Sequence, residues 1–168
     1  MEKIFLIICL FLSFSANSSC KSEVDVCYYT KFGNLEQQDL TISNDEYSHI
    51  TLNGVEIYKT KTDYISFLYE DIGFMKNDKY YVTKTVISSI PKTLCQHNDF
   101  RGHCTISVVL DFSEGKPIIS NEFIPDSGQS NIDWVSWGKA NSIIVFTDGS
   151  RFKYENGRVE RIVDKKID

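Results

Sequence analysis

No stretch of this chain is long and apolar enough to cross a bilayer as a helix. The one sustained hydrophobic run, Ile4 to Leu12, is about half the roughly 20 residues that a spanning segment needs. It follows Met1-Glu2-Lys3 and precedes the small, polar Ser13-Phe14-Ser15-Ala16-Asn17-Ser18-Ser19-Cys20. A charged start, a short apolar core and a small-residue patch make the secretory layout. Ala16 and Ser18 occupy the −3 and −1 positions of a cleavage site, so the expected division is a signal peptide over 1–18 and one exported β domain over 19–168. A lipoprotein signal with Cys20 acylated is the alternative, although Asn17 stands where such signals usually carry Leu.

The chain also lacks catalytic signatures. It has no Gly-x-Ser-x-Gly elbow, no His-Glu-x-x-His zinc motif and no Gly-rich phosphate loop. Only three histidines are present, His49, His97 and His103, and His49 reads as a polar surface or edge residue. Asp45-Glu46 and Glu70-Asp71 are sequence neighbours, which strands would send to opposite faces. No basic stripe interrupts the acidic balance, a net charge of −5. Phosphate-backbone binding by counterion displacement is thereby excluded. The sole Asn-x-Ser/Thr sequon, at Asn17, lies inside the signal. Export without glycosylation sites points to a bacterial envelope, and in a Gram-negative cell to the periplasm.

Removing the signal leaves Cys20, Cys27, Cys95 and Cys104, an even count in an oxidising compartment, which reads as two disulfides. Three pairings are open; Cys20–Cys27 and Cys95–Cys104 are favoured because each pair is close along the chain. Each small loop so closed stabilises by roughly 2.5–3 kcal/mol on the chain-entropy account. The segment Cys95 to Cys104 also holds His97, Asp99 and His103, the makings of a zinc site, but its spacing matches no common structural zinc motif.

What is abundant is strand signal. Thr51 to Tyr58 reads as a hairpin about Asn53-Gly54, Tyr80 to Ile87 and Thr105 to Phe112 as strands, and Glu114-Gly115 as a turn into Pro117 to Phe123. Asp133 to Trp137, Ser142 to Phe146, Arg151 to Tyr154 and Val159 to Val163 form an antiparallel meander. Asp148-Gly149 and Asn156-Gly157, eight residues apart, carry its type I′ turn signals. Asp63 to Ile72 fits helical spacing and alternation nearly equally. The expected fold is all-β, an antiparallel meander or sandwich with short hairpins and at most one short helix; a small propeller-like arrangement is the alternative.

Binding is the function best matched to these features. A disulfide-closed loop loses less entropy on docking, and this one places Asp99, Phe100 and Arg101 at its expected tip, an aromatic-arginine composition that hot spots favour. Trp134, on the strand face opposite Val135 and Trp137, is a second candidate. The expectation is a periplasmic binding or inhibitor protein, for example an immunity protein that neutralises a secreted toxin or hydrolase attacking the envelope. A structural or accessory envelope protein, and a hydrolase built on His97, Asp99 and His103, are the alternatives. No cofactor or metal is expected. The acidic charge suits a basic protein partner, and membrane contact arises only if Cys20 is lipidated.

Overall fold

The computed structural model describes residues 26–38, 45–63, 65–67, 71–138 and 141–163. The segment expected to be a signal peptide and Cys20 lie outside them. Strands β1 (Val26–Thr30), β2 (Gly33–Gln38), β3 (Ser48–Leu52) and β4 (Val55–Thr60) form an antiparallel meander, followed by β5 (Ile65–Phe67), β6 (Ile72–Lys76) and β7 (Lys79–Ser89). β8 (Cys95–His97) and β9 (Phe100–Gly102) make a separate hairpin, and β10 (Ile106–Asp111) and β11 (Ile118–Ile119) rejoin the main sheet. β12 (Ile132–Ser136), β13 (Ser142–Phe146), β14 (Arg151–Glu155) and β15 (Arg158–Arg161) build a four-stranded up-and-down sheet. The fold is all-β. Its single parallel contact among the described strands joins Tyr29 of β1 to Tyr81 of β7.

β7 and β10 are the middle of the molecule. They pair antiparallel from Ile106–Ser89 to Asp111–Lys84. Because successive side chains alternate, Val86 and Val109 face one way while Ile87, Val108 and Leu110 face the other. Both ways lead into a core: all five are at most 1 % exposed, and full burial of one such side chain is worth about 1.5–3 kcal/mol. Toward one side, Ile87, Val108 and Leu110 meet Leu35, Ile50, Ile65 and Phe67, with Tyr28, Tyr58 and Ile119 packed around them. These residues come from strands all along the nine-stranded sheet, so that sheet curls around its own core. Toward the other side, Val86 and Val109 meet Ile144, Tyr154, Val159 and the mutually tilted rings of Phe123, Phe146 and Phe152. The meander β12–β15 is thereby held face to face with the ribbon. The large sheet is not divided into four-stranded blades, so the propeller alternative does not describe this chain.

The structure resolves one open segment and changes two local expectations. Within 63–72, where helix and strand were both open, Ile65–Phe67 and Ile72 are strand, and Ile65 and Phe67 are buried on one face with Ser66 between them. Alternation prevails because β5 pairs with the end of β7. The expected strand from Pro117 to Phe123 stops at Ile119 and resumes only as a bridge between Phe123 and Ser107. Val109 N donates there to Ser120 Oγ at 2.9 Å, a side-chain oxygen in place of a carbonyl. Asn53-Gly54 and Asn156-Gly157 carry the paired positive φ of type I′ turns, whereas at Asp148-Gly149 only Gly149 does, at 84°. Gly149 N donates to Phe146 O and Phe146 N to Ser150 O, a type I turn closed by a glycine bulge.

One ionic group is buried where the ribbon meets the meander. Lys84 and Asp111 are cross-strand partners, 7 % and 4 % exposed, with Nζ 3.7 Å from Oδ2. Tyr154 Oη donates to the same Oδ2 at 2.7 Å, and Ser113 donates to Oδ1 from N and Oγ. Burial, and then the bond to Asp111, push the Tyr154 phenol well above its ordinary range. Removing one member of a buried pair strands the other charge. Asp111→Ala is therefore expected to cost about 3–5 kcal/mol in urea unfolding with an unchanged slope. The double variant Lys84→Met, Asp111→Leu is expected to recover most of that loss.

Candidate functional site

The segment from Ile90 to Thr105 leaves the end of β7, makes the β8–β9 hairpin and returns to β10. Its base is fixed by the Cys95–Cys104 disulfide, Cα to Cα 5.8 Å, whose Cys104 side is only 1 % exposed. The bond takes up both sulfurs proposed for zinc, and among the described residues no cluster of three or more His, Cys, Asp or Glu is placed to hold a metal. Cys27 is also disulfide-bonded; the expected pairing with Cys20 lies outside the described residues.

The hairpin register is Cys95–Gly102, Gln96–Arg101 and His97–Phe100, so Asn98 and Asp99 form the turn, with Asn98 at φ 50°. Asp99 and Arg101 are exposed, and neither makes an ion pair or side-chain hydrogen bond among the described residues. Phe100 is not at the tip. It is half-buried against the loop 125–130: a Cβ on Gly128 would lie 2.2 Å from Phe100 Cδ1, and Gly128 has a φ of +78°. The hairpin is laid along that loop by further bonds, Asn98 Nδ2 to Asp126 O at 3.1 Å, Gln129 Nε2 to His103 O at 2.5 Å and Thr105 N to Gly128 O at 2.9 Å.

The loop is in turn tied to the meander. Arg161 donates from two nitrogens to the Asp126 carboxylate, and Ser127 N donates to Asp148 Oδ2 at 2.9 Å. Burial on its own would raise the Asp148 carboxyl, but the bonds from Ser150 and Ser127 outweigh it and hold the group down at about 2. The projection thus rests on the loop, and the loop on the β13–β14 turn.

Two hollows flank the strip from Ile90 to Cys95, whose Ile90 is 52 % and Leu94 74 % exposed. One, an open groove of about 410 Å³, is lined by Leu94, Cys95, Gln96, Arg101 and Gly102. The other, about 280 Å³, is lined mostly by hydroxyl side chains from the end of β7 and its neighbours. Sequence reasoning missed both, because Ile90 and Leu94 follow no strand or helix period; the one available signal was an apolar pair beside Pro91 just before a cysteine.

Of the sequence candidates, Asp99, Phe100 and Arg101 share the hairpin. Trp134 is 44 % exposed on β12, with Val135 and Trp137 turned toward the core as alternation requires. Among the described residues no hydrogen bond or ring contact links Trp134 to the hairpin. For the alternative His97, Asp99 and His103 site, His103 Nδ1 lies 3.0 Å from Pro91 O, and among the described residues no hydrogen bond or ion pair joins the three. Comparison with family models, curated proteins and solved structures returns no match.

Gly128→Ala places a methyl into the Phe100 ring and strains the backbone. Faster hydrogen exchange over 95–102, with β7 and β10 amides still protected, is the expected result. Acid acts on the same support. The lowered Asp148 carboxyl contributes stability above its ordinary value near 4 and loses it as pH falls toward 2. Over that window Ser127 and its neighbours are expected to gain amide exchange in wild type, and Asp148→Asn to lack this pH-dependent increment.

Proposed function

We propose that this chain is an exported binding protein that grips a protein partner with the disulfide hairpin and the groove beside it. The observation that carries this reading is a braced projection whose exposed Leu94, and whose Arg101 without an ion pair among the described residues, border the same groove. An apolar contact next to an arginine gives desolvation and a charge-assisted bond together. Most other cations in the described structure already have acids, as with Lys61–Glu46, Lys92–Asp63 and Arg161–Asp126. Arg101 is left for a carboxylate supplied from outside.

The role that fits is inhibition of an envelope-attacking hydrolase or toxin, as an immunity protein would exert it. A net charge of −5 raises the encounter rate with a basic enzyme. Enzymes that cut glycosidic bonds work through paired carboxylates, and a guanidinium on a stiff hairpin is suited to occupy one. Periplasmic residence belongs to the same proposal, supported by the signal layout and the oxidised hairpin.

The test is a panel of purified peptidoglycan hydrolases and phospholipases, assayed with the oxidised protein. Stoichiometric inhibition of at least one is expected. Arg101→Glu or Leu94→Asp is expected to weaken it by about 2 kcal/mol or more, roughly thirtyfold in Kd. Trp134→Ala reports separately on the second candidate surface. An inhibitor that stays at full strength in both hairpin variants would sink the assignment to this groove.

A further inference from the structure

Among the described residues, His49 is the only imidazole held between two acids. It lies on β3, its side chain 13 % exposed. On one side its Nδ1 is 2.6 Å from Oε2 of Glu56, on β4. On the other its Nε2 is 3.0 Å from Oδ2 and 3.1 Å from Oδ1 of Asp45, in the segment that leads into β3. Tyr47 N donates to the same Oδ1 at 2.8 Å, an Asx turn that aims the carboxylate back at the ring.

A neutral imidazole has one N–H and one lone pair, and only the imidazolium donates from both nitrogens. Carboxylates of ordinary acidity are already ionised wherever a histidine titrates, so they accept and do not donate. Both contacts are therefore hydrogen bonds only while His49 carries its proton. Without it, one acid faces a lone pair.

The groups around the ring are few. From β4, Lys59 is the cross-strand partner of His49, and its Nζ lies 3.4 Å from Glu56 Oε1. From the leading segment, the Tyr47 ring centres 6.4 Å from the imidazole, with the Lys59 ammonium 5.3 Å from the Tyr47 centroid. From β2, Gln38 stands opposite His49, and Glu36 lies two places along on the same face. Burial alone would lower the His49 pKa, but the bonds to Asp45 and Glu56 outweigh it and hold it above its ordinary 6.5. The bond from His49 keeps the Glu56 carboxyl below its own ordinary range.

The two acids are not equivalent. Glu56 belongs to a paired strand and makes the shorter contact, whereas Asp45 precedes the strand. We propose that His49 is a proton-operated latch: charged, it pins the Asp45–Tyr47 turn to the β3–β4 hairpin, and neutral, it keeps Glu56 and lets Asp45 go. The release is local, because Glu46 still pairs with Lys61 and Ser48 Oγ still donates to Thr62 O at 2.9 Å. The direction follows from linkage. A pKa raised in the folded chain contributes stability that is full below 6.5 and is lost as pH rises through the folded value. The latch does not depend on the groove assigned to a protein partner.

The experiment is a titration of the oxidised protein from about pH 5 to about pH 9, reading the His49 ring nitrogens and the Tyr47 amide by nitrogen NMR. Both ring nitrogens are expected to be protonated at the acid end, with a midpoint above 6.5. The proton is expected to leave Nε2 and stay on Nδ1, and the Tyr47 amide to shift with the same midpoint. Asp45→Asn is expected to lower that midpoint. His49→Gln is expected to abolish the Tyr47 response while β7 and β10 amides stay protected; the wild-type titration decides by itself if this variant does not fold. A His49 midpoint at or below 6.5 overturns the latch. So does a proton lost first from Nδ1, a Tyr47 amide indifferent to the titration, an unmoved midpoint in Asp45→Asn, or a Tyr47 response that persists in His49→Gln.

Discussion

Everything in this molecule leans on a two-stranded ribbon that is buried on both faces. Antiparallel sheets commonly keep one face in water, and alternation then asks for polar residues at every second place. β7 and β10 break that habit: Val86 and Val109 serve one core while Ile87, Val108 and Leu110 serve the other. The ribbon is therefore a shared wall. Neither the curled sheet nor the β12–β15 meander has a complete core without it. The wall also fixes the site, because the strip from Ile90 to Thr105 is the connection between its two strands.

Such a wall has to admit polar groups somewhere, and it does so at one end. Lys84 and Asp111 sit opposite each other where β7 and β10 finish their pairing, and Tyr154 of the meander closes the arrangement from across the interface. A buried pair of this kind contributes little net stability against an apolar substitute, but it penalises misplacement heavily. It sets how the meander is seated on the ribbon, since a shift of one residue would turn the Tyr154 hydroxyl away from its acceptor.

The all-β class, the meander and most strand positions were legible because their signals are local: β-branched runs, period-two alternation and Asn-Gly turns. Where local signals tied, as over 63–72, pairing with β7 decided for strand. The turn at Asp148-Gly149 was legible as a turn but not as a type, since the choice depends on how Phe146 and Ser150 meet. The Cys95–Cys104 disulfide was legible from an even cysteine count and the short spacing of the pair. The tip composition was not: Phe100 had to be near the turn, but its fate was set by Gly128, 28 residues further on, which leaves room for a ring only because it lacks a side chain. The two hollows were illegible for the same reason, being made of residues from separate strands and loops that carry no shared pattern.

The two ends of the Cys95–Cys104 disulfide stand in different surroundings. Cys104 is sunk out of reach of solvent, while Cys95 stands at the foot of the projection. With the Cys95–Cys104 bond cut, the projection would hang from Phe100 and a few hydrogen bonds. Electron supply from the surroundings thus sets how stiffly one small hairpin stands on the fold that braces it.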